Sequence, residues 1–273
     1  MSDLEVLPII DPPELDTSYP CDPVLPNARK GRGASVIHVG PPQSGKSTLL
    51  SNMLFRFYTD DQGESIFDEV YIFSSTILLG DSSTRHLRQK YEATIFTDPM
   101  TAEEDLYRIL EYQSSFPVDP VTGESERPHI AIIFDDVISW IGAPLKKTSI
   151  LFSIASSYRH YGIGLCMWLT QRYRALPPIV RSTVGYALVH AISSTKEQEA
   201  MSEELWQRFP GEKKGFCDAL AKATSESKYH FLYLRLLDLK PAWYKNFTTL
   251  GWEGSDSAGQ MVHRGGPPST WDD

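Results

Sequence analysis

Hydrophobic residues in this chain gather in short, nearly unbroken runs separated by longer mixed segments. The runs are "ASVIHVG" (34–40), "EVYIFSS" (69–75), "HIAIIFDDV" (129–137), "GLCMWLTQ" (164–171), "YALVHAI" (186–192) and "YHFLYLRLL" (229–237). Short apolar runs without alternation predict strands covered on both faces, as in a parallel sheet. The mixed segments 45–58, 101–114, 146–160, 195–208 and 216–224 carry helical spacing. Thr101, with Glu104 three residues on, predicts a capping box at the second of these helices. Strands alternating with helices predict an α/β fold, a mostly parallel central sheet with helices on both faces. His38, His190 and the aromatic residues of "YHFLYLRLL" are expected in its core.

The two ends read differently. Residues 1–33 are rich in Pro and Asp, and are predicted to form an extended arm that wraps a neighbouring surface or lies loose. Residues 251–273, "GWEGSDSAGQMVHRGGPPSTWDD", are predicted to be a flexible tail, which leaves 34–250 as one domain. With 273 residues, 41% hydrophobic and 22% charged, the chain can bury a substantial core. Cys21, Cys166 and Cys217 form no C-x-x-C, so neither a metal site nor a disulfide framework is expected, and a reducing compartment fits. No basic-then-apolar leader and no apolar run of roughly 18–20 residues is present, so neither secretion nor a membrane-spanning segment is expected. The net charge of −9 argues against a surface that coats nucleic acid uniformly, and leaves room for a local basic lining.

The chemistry is concentrated in "VIHVGPPQSGKSTLL". Gly40, Gly45, Lys46 and Ser47 satisfy G-x-x-x-x-G-K-[ST] between a predicted strand and a predicted helix. Such a loop turns its amides inward around phosphates, and the helix N-terminus adds positive dipole. Gly40, Pro41, Pro42, Gln43, Ser44, Gly45, Lys46, Ser47 and Thr48 would form the cradle, with the two prolines stiffening its start. Lys46 would neutralise the β- and γ-phosphates, and Ser47 would hold Mg²⁺ through its hydroxyl. In P-loop proteins a strand beside this loop ends in an acid that holds the metal, and here "HIAIIFDDV" ends in Asp135 and Asp136. Asp135 suits the metal role and Asp136 the orientation of attacking water; two carboxylates capping a turn are the plainer alternative. A further strand ends in Thr170-Gln171, and Gln171 there would sense the γ-phosphate. That order predicts a motor-type ATPase with an inserted central strand. A nucleoside or small-molecule kinase using the same loop is the competing reading, though Pro177 and Pro178 suit a mobile lid poorly.

Three blocks in order, "VIHVGPPQSGKSTLL", "IAIIFDDV" and "SSYRHYGIGLCMWLTQRYRALPPIVRS", resemble the FtsK–HerA superfamily of P-loop ATPases. They are most similar to the poxvirus-type DNA-packaging ATPases of double-stranded DNA viruses and virophages, over residues 34–237. The resemblance implies a three-layer RecA-like (ASCE) fold, ATP and Mg²⁺, and a homo-oligomeric ring of five or six subunits. It further implies translocation of double-stranded DNA, without sequence preference, into a preformed capsid at a portal or vertex. The location would be the host cytoplasm or a viral factory, with association to the virion. A non-packaging nucleic-acid motor is the near neighbour of this reading. Arg159 occupies the place of the arginine that acts on a neighbouring subunit's nucleotide, with Arg181 as the substitute. Arg172 and Arg174, around Tyr173, are candidates for DNA backbone contact, Lys213 and Lys214 weaker ones, and His160 is read as structural. Many relatives carry Asp-Glu where this chain has Asp135-Asp136, and the shorter Asp136 leaves the identity of the base open.

Overall fold

A computed structural model describes residues 24–30, 33–77, 84–119, 125–140, 149–205, 212–236 and 242–253. The predicted runs become strands β1 (Ala34–Val39), β2 (Glu69–Ser74), β4 (Ile130–Asp135), β5 (Ile163–Thr170), β6 (Tyr186–His190) and β7 (Phe231–Arg235). Three strands not anticipated, β3 (Ile95–Phe96), β8 (Ala242–Lys245) and β9 (Thr249–Glu253), complete a nine-stranded sheet of order β3-β2-β4-β5-β1-β6-β7-β8-β9. From β3 to β6 all neighbours are parallel, and β7 to β9 add an antiparallel meander. Every residue of β1, β4 and β5 is buried, which is why their sequences are nearly unbroken apolar runs, with Ser35 and His38 the polar members of β1. The strand ending in Asp135 is not beside β1. β5 stands between them, paired in parallel with both, so the inserted-strand arrangement is the one found.

The helices are α1 (Lys46–Asn52), α2 (Arg85–Tyr91), α3 (Ala102–Ser115), α4 (Ile150–Ser157), α5 (Pro178–Thr183), α6 (Thr195–Leu205) and α7 (Glu212–Thr224). Alternate strand residues feed two cores. Ile37, Val39, Ile132, Phe134 and Trp168 pack with side chains of α3 to α7, while Val36, Ala131, Ile133, Leu165 and Met167 pack with those of α1 and α2. This gives three layers. α1 runs on through a π-helical turn, Met53–Phe57. The short α2 and α5 were not predicted; α5 begins on Pro178, whose fixed φ suits the first helical position.

Thr101 does cap α3, but its side chain makes no capping bond, and Glu104 pairs instead with Arg108 at 2.5 Å. Glu103, Glu104 and Asp105 still place negative charge at the positive end of the helix. The predicted tail begins too early, since Gly251–Glu253 belong to β9; residues 254–273 lie outside the described part. Of the predicted arm, residues 24–30 lie against this chain's own body. Val24 donates its amide to Phe247 O at 2.9 Å, Pro26 O accepts from the Tyr58 hydroxyl at 2.9 Å, and Ala28 O lies 2.7 Å from His129 Nε2.

Candidate nucleotide site

At the C-terminal end of β1 the chain leaves the sheet without losing contact with it, because the Gly40 amide donates to Thr170 O at 3.1 Å. The loop then turns on itself, with the Ser44 amide donating to Pro41 O at 3.3 Å. Gln43 and Gly45 take left-handed backbone at φ 61° and 92°. Residues of opposite hand in succession point their amides into one concavity, a nest for an anion. Glycine supplies the second of these turns at no steric cost. α1 starts at Lys46, and the Leu49 amide donates to Gly45 O at 2.8 Å. Pro41, Pro42 and Gln43 are exposed, Ser44 is buried, and Ser47 and Thr48 are half-buried on the first turn. All the predicted cradle residues therefore belong to one loop and helix start.

Lys46 is only 8% exposed. Its ammonium donates to Gly40 O at 2.8 Å and Pro41 O at 3.1 Å. Burial lowers its pKa, while Asp136 and Asp135 favour the charged form. An ammonium resting on neutral carbonyls is under-compensated, which is the electrostatic basis for affinity toward phosphate oxygens.

Asp135 closes β4 and is 6% exposed; it accepts a hydrogen bond from Ser74 Oγ at 2.9 Å, across the β2–β4 pairing. Burial raises its pKa to about 6, aided by Asp136 and opposed by the Ser74 bond and Lys46. A buried carboxylate whose charge is disfavoured is suited to a cation. Ser47 and Asp135 supply hard oxygen donors, which fit Mg²⁺, and among the described residues no cluster of three or more His, Cys, Asp or Glu forms a protein-only cage. Mg²⁺ favours such open sites, keeping several waters and substrate phosphates as ligands.

Asp136 is turned out of the strand by left-handed backbone, φ 51°, while its amide donates to Leu169 O at 3.1 Å. Gln171, one residue past β5, donates from Nε2 to Asp136 Oδ2 at 2.9 Å. The tips of β1, β4 and β5 thus bring Lys46, Asp135, Asp136 and Gln171 together.

Arg159 is elsewhere. It lies in the 3₁₀ turn Tyr158–Tyr161 that leads into β5, exposed, with its guanidinium 5.7 Å from the centre of the Tyr158 ring. A methyl group at Gly33, just before β1, would stand 2.9 Å from Arg159 Cγ. Ile163 and Thr170 are seven residue steps apart, so at about 3.3 Å per residue β5 spans roughly 23 Å, and Arg159 belongs to the turn at the opposite end of that strand from the phosphate loop. Arg181 is tied to Glu204 and sits 5.4 Å from the centre of the Tyr173 ring. Tyr173 is fully buried, and Arg172 and Arg174 flank it exposed. Lys213 pairs with Glu203 at 3.0 Å, Lys214 is exposed, and exposed His160 receives Arg127 on its carbonyl.

Two features beneath the loop were not foreseen. Ser74 is one. The other is the pair formed by His38 and His190, whose Nε2 atoms lie 2.8 Å apart. His190 Nδ1 lies 3.1 Å from the His230 carbonyl, which can only accept, so His190 carries its proton on Nδ1. Its Nε2 then accepts from His38 Nε2–H, which leaves His38 Nδ1 a buried acceptor without a partner among the described residues. Burial lowers both pKa values, that of His190 to about 4, with Lys46 adding to the shift in each. A Cβ on Gly40 would meet His190 Cδ2 at 2.9 Å, so the pair forms the floor of the loop. Pairing partners 152 residues apart leave no local sequence signal.

No protein-family model and no curated protein sequence matches the chain. Solved structures do. The genome packaging NTPase from Sulfolobus turreted icosahedral virus 2, in complex with ATP-gammaS, matches with TM-score 0.54 and 17% identity over 81% of this chain and 99% of that one. The DNA-packaging ATPase from Sulfolobus turreted icosahedral virus matches with TM-score 0.53 and 16% identity over 77% of this chain and 96% of that one. The pCW3 conjugation coupling protein TcpA, with ATPgS, matches with TM-score 0.51 and 15% identity over 89% of this chain and 70% of that one. At these identities the likeness concerns the fold alone: the chain shares the three-layer P-loop NTPase fold of these structures.

Proposed function

We propose that this protein is a Mg²⁺-dependent ATPase that drives double-stranded DNA into a viral capsid as a homo-oligomeric ring. The observation that carries the reading is the bond from Gln171 to Asp136. It joins the tip of the inserted strand to the acid placed to orient water. Such a link suits a hydrolase in which the group that sees the γ-phosphate also steadies the acid that orients water.

In this reading the loop amides and Lys46 bind the triphosphate, the ammonium exchanging loop carbonyls for phosphate oxygens. Asp135 and Ser47 would hold Mg²⁺, which would supply positive charge to neutralise the triphosphate. Asp136 orients a water for in-line attack on the γ-phosphorus and accepts its proton as the bond to the ADP oxygen breaks. The Gln171 amide steadies the carboxylate through Oδ2 and leaves Oδ1 for the water. Gln171 also stands where loss of the γ-phosphate is felt. Arg159 lies too far from its own loop to act within one subunit, so it serves the nucleotide of a neighbour. Backbone contacts would be independent of sequence, as packaging demands. A capsid portal or vertex is the destination, in the host cytoplasm or a viral factory.

The test is the steady-state ATPase rate with and without long duplex DNA, for wild type, Lys46→Ala and Arg159→Ala. DNA stimulation, its loss in each variant, and partial recovery when the two variants are mixed are expected. Turnover indifferent to DNA, with phosphate passed to an added nucleoside, would return the kinase reading.

A further inference from the structure

We propose that the loop 171–177 is the element that meets the DNA phosphates, through Arg172 and Arg174, and that it links this contact rigidly to the γ-phosphate site. The inference rests on the translocase reading above and names the residues that would serve it.

The loop is held from several sides. Thr170 Oγ1 accepts from the Arg172 amide at 3.1 Å and lies 3.2 Å from Arg172 O, to which it donates. The Arg174 amide donates to Glu197 of α6 at 3.0 Å. Tyr173 is fully buried, and its hydroxyl donates to Glu204 at 2.8 Å. The Ala175 and Leu176 amides donate back to Arg172 O and Tyr173 O.

On this fixed backbone the Arg172 and Arg174 side chains are exposed, and neither is paired with a carboxylate among the described residues. Arg108 and Arg181 are both paired. The nearby acids are already engaged: Glu204 holds Arg181 and the Tyr173 hydroxyl, and Glu197 holds the Arg174 amide. Exposed Lys196 begins the same helix turn as Glu197. A cationic spot therefore persists on a chain of net charge −9. Two exposed guanidiniums match phosphate oxygens in geometry and charge, and such contacts position a duplex without reading its sequence. Gln171 and Arg172 are adjacent residues of one anchored loop. A displacement of Gln171 is consequently a displacement of the DNA contact.

Phosphate oxygens are also offered by nucleotide, so the experiment separates the two sources. Binding of a long mixed-sequence duplex is measured across a salt series with ATP-gammaS present, and ATP-gammaS affinity is measured without DNA. For Arg172→Ala/Arg174→Ala, duplex affinity should fall about ten-fold or more, and the slope of log affinity against log salt should become shallower by about one to two. Arg172→Lys/Arg174→Lys should keep most of the slope. Wild-type affinity for DNA with an unmoved slope in the alanine variant would overturn the assignment of the loop. A fall in DNA-free nucleotide affinity with unmoved DNA binding would give the arginines to nucleotide instead. Absence of duplex binding by the wild type at low salt would overturn the translocase reading itself.

Discussion

The two ends of the parallel strands obey opposite rules. At the C-terminal end, groups are held away from their most comfortable state. Lys46 rests on carbonyls, Asp135 is buried with its pKa raised to about 6, and Gln43 and Asp136 adopt left-handed backbone. At the N-terminal end the polar groups are satisfied. His129 Nε2 meets Ala28 O, the His129 amide donates to Asp68 Oδ2 at 2.6 Å, and Tyr58 holds Pro26 O. The difference separates a part of the sheet that spends stability on binding from a part that supplies it. Substitutions at the first end should cost activity with little change in stability, and those at the second the reverse.

The largest contrast should come from Asp136→Asn. Asparagine tolerates left-handed backbone and its carbonyl still accepts from Gln171, so the fold should persist. Turnover should nevertheless drop about 10²- to 10⁴-fold, as expected when a general base is removed. A thermal melt beside the kinetic assay tests both halves, and a variant with wild-type turnover would move the base to another acid.

The His38–His190 pair sharpens the boundary between the two ends, because it lies buried directly beneath the loop. His190 has a folded-state pKa of about 4 against an ordinary 6.5, so between those values the unfolded chain binds more protons. The groups facing it are Lys46, His38 and His230. Stability should be complete above pH 6.5 and decline as the pH falls toward 4, by on the order of 3 kcal/mol. Urea unfolding at a series of pH values measures this, and a flat profile would mean that the pair is not held neutral.

Gly164→Ala tests the supporting end. Its new Cβ would stand 2.0 Å from His129 Cε1 and 2.8 Å from Ala28 O, close enough to force both to move. A loss of about 1–3 kcal/mol is expected, with nucleotide affinity retained while the protein is folded. Tyr58→Phe should show the smallest effect. It leaves Pro26 O without its hydroxyl partner and should cost about 1 kcal/mol in the same unfolding assay. A larger loss of ATP affinity than of stability in either variant would break the division between the ends.

How much was legible in the sequence follows the range of the forces involved. Long apolar runs announce strands because burial on both faces admits little else, and β1, β2, β4, β5 and β6 lie within their predicted spans or one residue beyond them. β3 has only two residues, too few for a pattern to accumulate. β8 alternates buried and half-buried positions, a weaker signal than an unbroken run. Thr101 does stand at the N-cap of α3, but the capping box is not formed, and Glu104 pairs with Arg108. The arm's last residues could not be assigned a resting place, since Phe247, Tyr58 and His129 are distant in sequence.

By itself, then, the sequence determined the phosphate loop, the acids that end the fourth strand and the glutamine that ends the fifth. These are local patterns, set by backbone geometry within a few residues. Tertiary structure decided that β5 stands between the loop strand and the acid strand, which brings Gln171 onto Asp136. It also decided that Ser74 supports Asp135, that two histidines share one hydrogen bond beneath the loop, and that Arg159 is held far from its own phosphate site. The physical reason is common to all of these. Strand order and register bring together residues that the sequence keeps tens to more than a hundred positions apart, and only the folded sheet sets their distances.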